Sequence, residues 1–133
     1  MTPDEYAKMA VDFWCERLLR RRKRENWPWV TCSVRVWNEE HDTRRPNSCK
    51  ALNMLLDSQT RAAGVIAGVS CIDCNGIYIR KRLSRKEAWR TACHEVLHLA
   101  HPSWGEDKVY AEERRLCEEH PMPRPHELQV MLG

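Results

Sequence analysis

The chain changes hydrophobic period several times, and each change marks an element. Thr2, Pro3 and Glu5 read as an N-cap, a first-turn proline and a capping-box acid. Tyr6, Met9, Ala10, Phe13 and Trp14 then recur at helical spacing and predict a first helix over about residues 3–22. Its far end is basic, which complements the helix dipole, and Trp27-Pro28-Trp29 stops it. Val30, Thr31, Cys32, Val34, Val36 and Trp37 are β-branched, small or aromatic and predict a strand between Trp29 and Trp37. The polar stretch 38–47 reads as a loop. Ala51, Leu52, Leu55, Leu56 and Ala62 predict a second helix over 48–63, ended by Gly64. Two strands, 65–72 and 77–81, flank Asp73-Cys74-Asn75-Gly76, whose Asn-Gly step is a strong hairpin signal.

Ser84-Arg85-Lys86-Glu87 is a capping box that opens a helix, and Pro102 ends it near His101. Ala88, Trp89, Ala92, Cys93, Val96, Leu97 and Ala100 form its apolar face. Ser103 and Glu106 read as a second capping box, opening a helix that runs to about Glu119. So short a turn requires the two helices to fold back on each other. Residues 120–133 read as an extended tail with an apolar end at Leu128, Val130, Met131 and Leu132 that docks on the body.

With 133 residues, 42% hydrophobic and 31% charged, the chain predicts one α+β domain and excludes wholesale disorder or a repeat rod. No apolar run approaches the roughly 18 residues of a membrane span, and the amino terminus lacks a signal-peptide layout. A soluble cytoplasmic protein is expected. Seven cysteines, an odd number scattered through apolar patterns, are expected to be reduced thiols. The net charge of +3 is mild, but Arg20, Arg21, Arg22, Lys23 and Arg24 crowd together. That run suits either a weak nucleic-acid contact or a solvated helix end.

The chemistry concentrates in His94-Glu95-Val96-Leu97-His98. Positions four apart share a helix face, so the two imidazoles can converge on one Zn2+ ion. Glu95, about 100° round the helix from His94, stands where it can reach a water at that ion without being a ligand. These are the residue types of hydrolysis: a cation that acidifies water and a general base that takes its proton and returns it to the leaving amine.

A third ligand is required. His101 lies about 10 Å along the axis from His94, too far for one ion on a straight helix. The following helix is the better source. Hairpin geometry brings Glu106 level with His98, while Glu113, about two turns on, suits crossed helices. Glu112 and His120 are lesser alternatives. Without a cation, Glu106 is a capping acid and Glu113 a surface acid paired with an arginine.

Residues 64–117, with a β-hairpin, the HEVLH helix, a proline four residues after the second histidine and an acid-led helix, resemble the small zincin metallopeptidases of the minigluzincin type, including compact phage-borne ones. The resemblance implies a zincin-like domain: a small twisted sheet, an active-site helix and a glutamate helix, acting on a peptide or protein substrate. It also implies that an edge strand holds the substrate, which by position is Ile77, Tyr78 and Ile79. No Glu-Ala-Asn-type signature follows HEVLH, so Glu106 and Glu113 both stay open.

Other signals are weaker. Cys71 and Cys74 have zinc-knuckle spacing without a partner pair, Cys93 reads as core, and Tyr110 or an arginine could stabilise an oxyanion. Trp14, Trp37 and Trp89 fit core positions, whereas Trp27, Trp29 and Trp104 lie at element ends. Two rival functions share the pattern: a basic nucleic-acid-associated protein with a structural zinc, and an inactive zincin-like interaction module.

Overall fold

The computed structural model describes residues 1–19, 33–37, 67–71, 76–80 and 82–133. They form a mixed fold of four helices and a three-stranded sheet: α1 (Pro3–Leu19), β1 (Ser33–Trp37), β2 (Gly68–Cys71), β3 (Gly76–Arg80), α2 (Arg85–Ala100), α3 (Glu106–Glu119) and α4 (Pro125–Leu132). The expected helix over 48–63, the basic run Arg20–Arg24 and the hairpin tip at 72–75 lie outside the described residues. No helix among the described residues is long and apolar enough to cross a membrane.

The helix starts follow local chemistry. At α1, the Glu5 amide donates to Thr2 Oγ1 at 3.1 Å. At α2, the Glu87 amide donates to Ser84 Oγ at 3.2 Å, and the Ser84 hydroxyl donates to the Glu87 carboxylate at 3.0 Å. The box expected at Ser103 does not form. Gly105 is the N-cap of α3 and has no side chain with which to cap it, and the Glu106 carboxylate is turned to the histidines of α2.

The sheet order is β1-β3-β2, with β1 parallel and β2 antiparallel to β3. This corrects the expectation that Ile77, Tyr78 and Ile79 form an edge. β3 is bonded on both sides, and Ile77 and Ile79 are completely buried. The hairpin pattern shows only one neighbour of β3; the parallel return of β1 to its other side leaves no local sequence trace.

The core lies between α1, α2 and the sheet. Trp14, Trp89 and Phe13 pack ring to ring, with centroids 4.9–5.0 Å apart. Trp14 and Trp89 thus occupy the expected core positions, as does Cys93. Cys15 on α1 is disulfide-bonded, so not every cysteine is the reduced thiol expected.

The carboxy-terminal segment is not an extended tail throughout. Pro125 sits in the first turn of α4, where a proline lacks no needed donor. The buried Leu128 docks this helix on α1, while Val130 and Met131 stay exposed. Tyr6 fastens the approach, its hydroxyl donating to the Pro123 carbonyl at 2.7 Å; burial pushes its pKa up to about 12.

Leu128→Ala is expected to destabilise the protein by about 2–4 kcal/mol in urea unfolding, against less than about 0.5 kcal/mol for Val130→Ser. Equal small effects would mean that α4 does not dock.

Candidate metal centre

Helices α2 and α3 run antiparallel across the Pro102 turn, and their contacts step along both in register. His98 meets Glu106, His94 meets Glu113, and the Trp89 indole donates to the His120 carbonyl at 2.9 Å. The histidines, four apart on α2, therefore face the first two turns of α3.

The geometry sorts the two glutamates that the spacing left open. Glu106 reaches both imidazoles: Oε1 lies 2.6 Å from His98 Nε2 and Oε2 lies 3.3 Å from His94 Nε2. The two Nε2 atoms are 3.2 Å apart. Glu113 instead lies behind His94, its Oε1 3.2 Å from Nδ1. Arg90 holds the other Glu113 oxygen at 3.6 Å. Glu112 is paired with Arg115 on the surface, and His120 packs beside Phe13 and Trp14, so neither approaches the histidines. His101 stacks flat on Trp104, with centroids 3.7 Å apart.

His94, His98 and Glu106 form a group that can hold a metal ion, their ligand atoms all lying within 4.8 Å of one another. The donor chemistry fits one. Glu113 faces His94 Nδ1 at 3.2 Å, and the neutral tautomer that donates Nδ1–H to that carboxylate leaves Nε2 able to bind a cation. His94 Nε2 in turn faces a Glu106 oxygen at 3.3 Å and the second Nε2 at 3.2 Å, so three atoms of ligand type converge from two helices. A tetrahedral ion with bonds of about 2.0–2.1 Å separates its ligands by about 3.3 Å. The two contacts of His94 match that spacing, and the closer His98–Glu106 pair is a direct hydrogen bond that a cation would open.

Electrostatics treat the two imidazoles differently. Burial lowers the pKa of His98, which favours the neutral form a ligand needs. Burial also acts downward on His94, but the Glu113 hydrogen bond and the surrounding carboxylates outweigh it and raise the pKa. Glu95 and Glu113 are the buried charged side chains among the described residues, and both belong to this cluster. Burial pushes Glu95 up to about 7, against the opposing pull of His94 and of its hydrogen bond from Ser70 on β2. Ser70 is registered opposite Ile77, so the sheet face that carries Ile77 meets α2 at Glu95.

Three supporting residues join the site. Ser70 holds Glu95 and has no sequence signal, because only the sheet register brings it there. Arg90 stands one turn before His94 on the same face, a spacing that could have revealed it. Tyr110 packs on His94 with ring centroids 4.5 Å apart, yet is 53% exposed, so it borders the open side of the cluster. Comparison with protein-family models, curated proteins and solved structures finds no match for this chain.

Elemental analysis is expected to find one divalent ion per wild-type chain and to find it lost from His94→Ala, His98→Ala and Glu106→Ala. Glu113→Gln is expected to retain the site with about 10–100-fold weaker affinity, since it removes only the partner that orients His94. A metal content indifferent to Glu106 would exclude it as a ligand.

Proposed function

We propose that this protein is a zinc-dependent metallopeptidase with a zincin-like fold, in which His94, His98 and Glu106 hold the metal and Glu95 is the general base. The observation that carries this reading is the meeting of both Nε2 atoms with Glu106 on one side of α2 while Glu95 stands next to them in the sequence. Zinc is favoured by the donor set of two imidazoles and one carboxylate, a three-ligand arrangement suited to catalysis. A structural zinc would call for a closed fourth ligand. Here the Glu106 side chain is 60% exposed and Tyr110 stands at an accessible rim.

When bound, zinc supplies Lewis-acid polarisation to the scissile carbonyl and to the attacking water. Glu95 takes the proton from that water and passes it to the leaving amine, converting a poor leaving group into a neutral one. Ser70 holds the Glu95 carboxylate in place through its hydroxyl. The Tyr110 hydroxyl, on the helix face that covers His94, is suited to donate to the oxyanion that develops on the carbonyl.

The substrate strand belongs at β2, not β3. Among the described residues β2 bonds to β3 on one side only, and its Ser70 already reaches the general base. An extended peptide adding to the outer edge of Gly68–Cys71 would lie beside the histidines, with main-chain hydrogen bonds supplying affinity irrespective of side-chain sequence.

Glu95→Gln is expected to lower hydrolysis of a labelled peptide library by about 10²–10⁴-fold with zinc content unchanged. Library peptides left uncut by zinc-loaded wild type would overturn the enzymatic reading and leave an interaction module in its place.

A further inference from the structure

One reactive pair stands outside the metal chemistry. The register that sets His98 against Glu106, His94 against Glu113 and Trp89 against His120 also sets Cys93 against Cys117, and their thiols are hydrogen-bonded. Neither is in a disulfide. Cys93 is completely buried in the core, whereas Cys117 is half-buried at its margin. The pair lies on the same two helices as the metal ligands, and Cys93 immediately precedes His94.

We propose that Cys93 and Cys117 are a redox-active dithiol, which two-electron oxidation by a peroxide closes into a disulfide stapling α2 to α3 beside the metal centre. The accessible Cys117 attacks first. Its sulfur displaces one peroxide oxygen as water, forming a sulfenic acid. The Cys93 sulfur then attacks the Cys117 sulfur, releasing the second oxygen as water with the Cys93 proton. One peroxide and two thiols thus give one disulfide and two waters, the two electrons passing from sulfur to oxygen. The assignment of roles follows from position: Cys117 has access to solvent, whereas Cys93 is sealed in the core. Closure requires only that sulfurs already in hydrogen-bond contact draw in to about 2.05 Å. The inference needs no metal and no peptidase activity, so it stands or falls separately from the proposed function.

The test is disulfide mapping of the full chain. Reduced protein is treated with hydrogen peroxide, remaining thiols are alkylated, and the chain is digested with trypsin without reductant. Cleavage after Arg90, Lys108 and Arg115, but not at the Arg124-Pro125 bond, isolates each thiol in its own peptide, 91–108 and 116–133. The expected product is these two peptides linked, two hydrogens lighter than their sum and separated by dithiothreitol. In Cys93→Ala the Cys117 sulfenic acid has no resolving thiol, and a dimedone adduct is expected on peptide 116–133. Closure of a loop of about two dozen residues is expected to raise the melting temperature of the oxidised wild type by roughly 5–10 °C, and Cys117→Ser should lose that increment while keeping whatever the Cys15 disulfide contributes. Cys117 remaining a thiol, accumulating a dimedone adduct in the wild type, or pairing with another cysteine would overturn the proposal.

Discussion

The antiparallel register of α2 on α3 is the constraint on which everything else depends. One turn at Pro102 sets it, and every partnership across the helix pair follows: His98 with Glu106, His94 with Glu113, Cys93 with Cys117, Trp89 with the end of α3. A shift by one residue would turn each α3 side chain about 100° and disperse all of them. The register is held at both ends by different forces. Near the turn it rests on polar contacts and on Trp104 stacked against His101; at the far end it rests on aromatic burial around Trp89. The apolar end supplies stability, and the polar end gathers the ionisable groups.

The polar end is costly without a cation. Glu95 and Glu113 are 6% and 5% exposed, and Glu106 completes a group of three carboxylates around two imidazoles. Arg90 offsets part of this by pairing with Glu113, but from a largely exposed side chain whose contribution water weakens. Burying acids together opposes folding unless something positive joins them. A divalent ion between His94, His98 and Glu106 would reverse the sign of the local field and draw the Glu95 pKa back down. Folding and metal binding would thereby be linked, because an ion held there stabilises the arrangement that forms its site.

Much of this was legible in the chain itself. Apolar spacing marks α1 and α2, and the Thr2 and Ser84 caps mark their starts to the residue. The HEVLH spacing alone sets two imidazoles on one face. The choice between Glu106 and Glu113 was not legible, because both project toward α2 and only the crossing geometry separates a carboxylate at Nε2 from one at Nδ1. The start of α3 misled for a related reason. Ser103 and Glu106 have the spacing of a capping box, but a carboxylate that can reach two imidazoles gains more there than from a backbone amide in solvent. The position of β3 was hidden because a parallel neighbour arrives from a distant part of the chain.

Open and closed sides divide the metal centre's labour. Glu113 stands behind His94 on the packed side, held in turn by the exposed Arg90, and orients the ring so that Nε2 points toward Glu106 and His98. Glu95 is anchored to the sheet through Ser70, which ties the proposed base to the same strand whose edge would hold a peptide. Were a peptide to add there, its position relative to the proposed base would be set by backbone hydrogen bonding instead of by any flexible side chain. Tyr110 and Glu106 face solvent strongly, on the side from which a carbonyl would arrive. Such a site would discriminate weakly among side chains and strongly for extended backbone, the selectivity expected where affinity comes from β-addition.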